Sequence, residues 1–270
     1  MNRKPSIALI GAGAMGGALL RGWVRLGAID PTTSVVFDPA PSPEVKTLMR
    51  DYGMALNPEN IEDVGVAIIA VKPQAAAAVL PQFASLAQNA VVLSVMAGKS
   101  CATISALLNG APRVARMMPN LPAAIGRGVS GLYASPAMKG AERAIIQNLA
   151  SAAGDTVWVD SEEAIDFVTA LSGSGPAYCF LLIEALTDAG VALGLPEDAA
   201  TRLARATFSG VGAMVAADGR SADEMRAAVT SPGGTTEAAL KILDGDKQAL
   251  RRLMEEAVAA AAARAAALTD

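Results

Sequence analysis

The chain contains no histidine. Any mechanism that needs an imidazole acid, base or metal ligand is therefore excluded. Lactate- and malate-type dehydrogenation, serine-protease-type triads and histidine-ligated zinc go with it. Cysteine is nearly as scarce. Cys101 and Cys179 supply no disulfide or metal framework, so no metal is expected, and a reducing, cytoplasmic setting fits best. Charge is thin: charged residues are 18% of the 270, the net charge is −4, and no block of one sign occurs. That argues against nucleic acid and against an anionic membrane surface as partners. Residues 73–98 carry no charge, but Pro73, Pro81, three glutamines and Asn89 interrupt them. They read as a helix and a strand of a buried core, not as a membrane span. The apolar run that follows the basic tripeptide at the N-terminus is broken at once by glycines and continues as a strand–turn–helix pattern. No targeting segment is read there.

What is abundant is apolar: hydrophobic residues make up 52%, a globular composition long enough for two domains. From Ser6 to Val159 short β-rich runs alternate with helical segments. Strands are expected at 6–11, 34–38, 65–71, 90–95, 113–118, 128–134 and 156–160. Helices are expected at 16–26, 43–52, 75–87, 101–108 and 136–153. That alternation argues for an α/β fold with a Rossmann-type doubly wound parallel sheet, the later strands being candidates for antiparallel additions. From Ser161, an N-cap followed by Glu162 and Glu163, no strand is convincing. Helices are expected at 161–171, 176–193, 197–217, 221–228, 235–243 and 246–268, with Gly194 as a stop and Pro196 as a start. The expected division is 1–160, dinucleotide binding, and 161–270, an all-helical domain. Helices 176–193 and 197–217 are apolar over much of their circumference, more than one small domain can cover. Self-association through the second domain is expected.

"IALIGAGAMGGALLRGW" places Gly11, Gly13 and Gly16 in G-x-G-x-x-G spacing, between a strand and a helix. Gly11 permits the tight turn, Gly13 lets the backbone approach a pyrophosphate, and Gly16 lets helix and strand pack closely. With Ala14 and Met15 they form a cradle whose helix N-terminus offers bare N–H groups to phosphate. Asp38 ends the second strand. An acid there bonds the ribose hydroxyls of NADH and repels the 2′-phosphate of NADPH, which favours NADH. Further cofactor contacts are expected from loops at later strand ends: Val71, Lys72 and Pro73 in "VKPQ", and Ala97 and Gly98 in "MAGKS". Lys72 is open between a phosphate contact, a catalytic lysine and a solvated loop charge.

A second bare-backbone stretch, "TSPGGTTEAAL" (230–240), sits among alanine-rich helices. Gly233, Gly234, Thr235 and Thr236 would form an anion-binding nest at the start of helix 235–243. "TALSGSGPAY" (169–178) has the same character, small residues and hydroxyls breaking two helical runs.

Taken in order, "IGAGAMGGA", "VKPQ", "RMMPNLPA", "ALSGSGPAY", "DAGVALGLP" and "VTSPGGTTEAAL" resemble the Δ1-pyrroline-5-carboxylate reductase family over nearly the whole chain. Ala14 stands where that family often has asparagine, and Leu121 where threonine is usual. The resemblance implies reduction of a small-molecule cyclic imine, pyrroline-5-carboxylate, to L-proline by NADPH or NADH. It also implies homodimers through interlocked helical domains, often assembled into a decamer. An iminium already carries the charge that accepts hydride, so the missing histidine is no obstacle, and positioning is the enzyme's main task. On this reading Ser231 and the N–H groups of Gly233, Gly234 and Thr235 bind the substrate carboxylate. Thr236, the catalytic candidate, hydrogen-bonds the ring nitrogen. Asn120 orients nicotinamide or substrate. Two rivals are a β-hydroxyacid dehydrogenase and a dinucleotide-sensing protein without catalysis. The first needs a lysine on the helix after "SGSGPAY", and Pro176–Leu193 has none.

Overall fold

In the computed structural model of the chain, residues 4–60 and 64–268 are described. Part of the basic N-terminal tripeptide, and the ends of the expected domains 1–160 and 161–270, lie outside them. The chain divides into two units, Met1–Ser174 with Ala261–Asp270, and Gly175–Ala260.

The first unit is built on one eight-stranded sheet. Its strands are β1 (Ile7–Ile10), β2 (Val35–Phe37), β3 (Ala55–Leu56), β4 (Val66–Ile69), β5 (Val91–Ser94), β6 (Val114–Met118), β7 (Gly128–Ala134) and β8 (Gly154–Trp158), in spatial order β3-β2-β1-β4-β5-β6-β7-β8. The first six are parallel. β7 runs antiparallel to β6, and β8 pairs in parallel with β7. β1, β4 and β5 are buried at every residue, because helices cover both faces. The strand order reverses between β1 and β4, so a crevice opens at their carboxyl ends.

On one face lie α1 (Ala14–Arg25), α2 (Pro43–Tyr52) and later α6 (Gly140–Ser151). α2 keeps its expected bounds because both ends are coded: the Ser42 hydroxyl accepts from the Val45 N–H, and Gly53 closes the helix at φ +71°. Trp23 on α1 is fully buried and donates to the Leu149 carbonyl of α6 at 2.7 Å. The other face carries α3 (Ala76–Val79), α4 (Ala84–Asn89) and α5 (Cys101–Leu107). The single helix expected at 75–87 is broken by a 3-10 turn at Leu80–Phe83, where Pro81 lacks the N–H a continuous helix would use. α6 starts four residues later than expected: Ser135–Lys139 form a turn, and the Lys139 N–H is capped by Glu142. β3, two exposed residues at the sheet edge, has no clear pattern in the sequence.

α7 (Ala164–Val168) packs against the sheet. Gly131 on β7 makes room for it, since a Cβ there would lie 2.5 Å from the Val168 side chain. The helix does not stop at "SGSGP", where a break was expected. It widens into a π turn over Thr169–Gly173, in which the Ser174 N–H donates to the Thr169 carbonyl at 2.8 Å, and continues as α8 (Gly175–Ala192). Pro176 has no N–H for Ser172, so the widened turn absorbs the register that proline would break. The run Ala164–Ala192 is 29 residues, long and apolar enough by composition to cross a membrane, and only 17% of its most apolar window is buried.

The second unit contains α8, α9 (Glu197–Ala217), α10 (Ala222–Ala228), α11 (Thr235–Asp244) and most of α12 (Ala249–Ala266). Gly194 stops α8 at φ +98°. α8 and α9 meet where Gly190 faces Ala200. A capping box of Ser221 and Glu224 starts α10. Asp244 accepts from Arg226 at 3.1 Å and Arg251 at 2.6 Å, joining three helices.

Candidate active site

The candidate dinucleotide site grows out of β1. Gly11 leaves the strand at φ +94°, and a Cβ on it would lie 2.8 Å from the Ala70 and Val71 backbone. A Cβ on Gly16 would fall 2.2 Å from the Gly11 carbonyl. These two glycines let α1 start hard against β1 and β4. Gly13 caps the helix with no side-chain hydrogen bond, and no acid stands in the first turn. The amides of Ala14, Met15 and Gly16 are thus left to an anion at the positive end of the helix dipole. The backbone therefore fits a dinucleotide pyrophosphate.

Asp38 stands beside this turn. Its carboxylate accepts from the Ala12 N–H at 2.7 Å and the Ala40 N–H at 2.8 Å, so it is held in place. A residue not expected from the sequence fixes its backbone. Asn57 accepts from the Asp38 N–H at 3.0 Å, donates to the Asp38 carbonyl at 2.9 Å, and sits at φ +47°. The signal was there in type, since asparagine tolerates that region, but nothing marked its partner. Between Asp38, Asn57, Gly13, Val71, Lys72 and Phe83 lies a pocket of about 610 Å³, within the size range of small-molecule sites. Phe37 and Phe83 meet edge to face across its apolar wall, 4.9 Å between ring centres. Val71 and Lys72 line it, and Pro73 opens the following turn.

The third expected loop is arranged differently. Gly98, at φ +64°, lies against the C-terminal end of the chain; a Cβ would be 2.6 Å from the Leu268 carbonyl. The N-terminus of α5, next in line, is already filled: Glu162 accepts from the Cys101 N–H at 2.5 Å. Glu162 was expected to serve the first turn of its own helix. Instead it reaches α5 and pairs with Arg116 on β6 at 3.3 Å. Arg116 is 2% exposed, and its Nε and Nη2 have no hydrogen-bond partner among the described residues. Breaking such a buried pair by removing one member typically costs about 3–5 kcal/mol. Burial, reinforced by the Glu162 charge, pushes the Cys101 thiol up to about 12. Burial, with Glu162 and Cys101 behind it, raises the Tyr133 phenol.

Asn120 follows β6. Its Oδ1 accepts from the Val129 N–H at 3.0 Å, so Nδ2 is the group it can offer a ligand. Leu121, next to it, is 59% exposed at the start of a 3-10 turn.

The residues 231–236 belong to the second unit. Gly233 takes φ +72°, and Gly234 caps α11 without a side-chain bond. Two amides assigned to a ligand carboxylate already have partners. Gly233 N–H donates to Glu237 at 2.7 Å, and Gly234 N–H to the Ser231 carbonyl at 3.0 Å. Glu237, absent from the sequence reading, is a carboxylate resting where a carboxylate ligand was expected. The amides of Thr235 and Thr236, with no cap, open the helix. Among the described residues no group of three or more cysteine, aspartate or glutamate side chains is placed to hold a metal.

Sheet order, open helix terminus and fixed acid define a Rossmann-type dinucleotide-binding protein with an appended helical unit. Residues 6–98 match the family model "NADP oxidoreductase coenzyme F420-dependent", and residues 162–268 match "Pyrroline-5-carboxylate reductase dimerisation". The chain is 40% identical to the pyrroline-5-carboxylate reductase of Pseudomonas aeruginosa, over 98% of this chain and 97% of that one. A solved pyrroline-5-carboxylate reductase from Coxiella burnetii superposes with a TM-score of 0.91 at 32% identity, over 99% of this chain and 100% of that one. The Plasmodium falciparum enzyme, solved with NADP bound, shares the fold with a TM-score of 0.82 at 24% identity, over 98% of each chain. This chain belongs to the pyrroline-5-carboxylate reductase family.

Proposed function

We propose that the chain reduces the cyclic imine 1-pyrroline-5-carboxylate to L-proline, the last step of proline biosynthesis, at the expense of NAD(P)H. The reading rests on the full-length match to reductases. Two uncapped helix starts support it, one suited to a dinucleotide and one to a small acid. When bound, the reduced nicotinamide supplies the hydride. The chain's own residues bind and orient. Gly11, Gly13, Ala14, Met15 and Gly16 receive the pyrophosphate. Val71, Lys72, Pro73, Ala97 and Gly98 border the dinucleotide. The Ser231 hydroxyl and the Thr235 N–H take the substrate carboxylate, joined by Gly233 once Glu237 is displaced. The Thr236 hydroxyl oxygen accepts from the protonated ring N–H, and Asn120 Nδ2 steadies nicotinamide or substrate. No imidazole is required, because a protonated C=N bond is already electrophilic.

We assign NADH as the preferred cofactor, because the Asp38 carboxylate is tethered by two amides and cannot swing away from a 2′-phosphate. The region 161–270 acts as the dimerisation and substrate domain, the homodimer is the minimal unit, and a decamer is the larger assembly implied by family resemblance. The apolar run Ala164–Ala192 is covered by a second copy rather than by lipid, and the enzyme is cytoplasmic. A dehydrogenase of β-hydroxyacids would need a lysine that α8 lacks.

The test is steady-state oxidation of each nicotinamide with pyrroline-5-carboxylate. Hydrogen bonds to a charged partner contribute about 1.5–3 kcal/mol, so Thr236→Ala should cost roughly 10- to 100-fold in kcat/KM. Unchanged turnover and affinity would remove Thr236 from the mechanism. No oxidation above background by the wild type would favour a dinucleotide sensor. Asp38→Asn should raise the NADPH-to-NADH ratio of kcat/KM by about tenfold on the same scale; an unmoved ratio would cancel the cofactor assignment.

A further inference from the structure

We propose that Glu162 is a positioning residue for the nicotinamide cofactor, acting through the first amide of α5. The inference rests on the reading above that the loop 96–100 borders the dinucleotide. Three observations meet at this carboxylate. It accepts from the Cys101 N–H, the first amide after that loop. It is held from behind by Arg116, which has no other partner for its buried guanidinium among the described residues. Arg116 in turn sits in register with Ser94, the last residue of β5 before the loop, and its strand ends at Met118, two residues before Asn120. Ser94 itself accepts from the Met96 N–H at 3.2 Å, so the loop is pinned at its start by β5 and at its end by Glu162. Glu162 belongs to none of these elements. It follows β8 in the chain, two residues before α7, and so ties the first residue of α5 to a residue within β6.

The arrangement separates two jobs that a single substitution would confuse. The charge of Glu162 neutralises Arg116, and the acceptor oxygen of Glu162 holds the loop. Replacing Glu162 alone strands a buried cation and can unfold the unit. Two paired variants divide the roles. Arg116→Met with Glu162→Met removes both charges and the acceptor. Arg116→Met with Glu162→Gln removes both charges but keeps an acceptor for the Cys101 N–H. Melting temperature, fluorescence titration with NADH and NADPH, and steady-state kinetics are measured on the full-length protein. In the Met/Met variant the KM and Kd for the nicotinamide should rise about tenfold, with kcat within about twofold. The Met/Gln variant should stay within about threefold of wild type in all three. Wild-type cofactor affinity in a folded Met/Met variant overturns the proposal, as does equal damage in both. If neither variant folds, amide hydrogen exchange of Cys101 in the wild type decides: protection no greater than that of the 96–99 amides overturns it, greater protection supports it. Failure of the imine assay leaves the binding titration standing, so the two readings fail separately.

Discussion

The two units treat their apolar side chains in opposite ways. In the sheet unit Ile7, Leu9, Leu20, Trp23, Ile68 and Leu93 are all but sealed from water. In the helical unit α8 and α11 have no buried residue, and α9 buries only Ala200 and Ala204. Phe180, Leu181, Leu186, Leu203, Val211, Met214 and Val215 are each more than half exposed. The first unit is a finished core. The second is part of one, with the remainder to be supplied by another copy, which agrees with the dimerisation model matched over 162–268.

The sharpest way to break this contrast is a charge in the unfinished face. Leu181→Glu acts twice in a symmetric dimer, losing about 2 kcal/mol of apolar burial at each place. The dimer dissociation constant should rise by at least about 10³. Sedimentation should show monomer at micromolar concentration, while the sheet unit still binds NADH. A dimer that survives unchanged would mean the exposed face is not the interface.

The glycine loops of the two units offer a second, smaller contrast. Gly16→Ala drives a methyl into the Gly11 carbonyl and should cost about 3 kcal/mol in urea unfolding, together with cofactor affinity. Gly233 has open space around it but a left-handed backbone, so Gly233→Ala should cost about 1 kcal/mol and act on substrate KM. Equal effects would deny that one loop is packed and the other bare.

A third contrast concerns alkali. Cys101 is protonated in the fold up to about 12, well above its ordinary value of 9.0. Between those values the unfolded chain gives up a proton that the native one keeps. Stability from this group is complete below pH 9.0 and declines as pH rises toward 12. Cys101→Ala should flatten that part of the stability curve in chemical denaturation between pH 9 and pH 11. An unaltered slope would place the alkaline sensitivity elsewhere.

Much of this was legible in the residues. The strand–helix alternation located seven of eight strands, and the glycine spacing located the α1 terminus and Asp38. The second bare loop was visible because proline and paired glycines are foreign to an alanine-rich helix. Hidden features depended on partners distant in sequence. Asn57 clamps Asp38 from nineteen residues away, and Glu162 serves α5 from sixty-one. Neither position has a local pattern that names its target. Glu237 was overlooked for a different reason. An acid in the first turn of a helix reads as a dipole partner, and only geometry shows it reaching back to Gly233.

The widened turn at Thr169–Gly173 has a consequence for how this stretch tolerates change in length. A π turn holds one residue more than the α-helical path around the same corner. Deleting one residue there would let the helix close into regular geometry with the side chains of Gly175–Ala192 facing nearly as before, whereas the same deletion within Gly175–Ala192 itself would turn every later side chain of that helix by about 100° about the axis. The turn therefore acts as slack in the helix, the one stretch where a residue can be lost without rotating the face that follows.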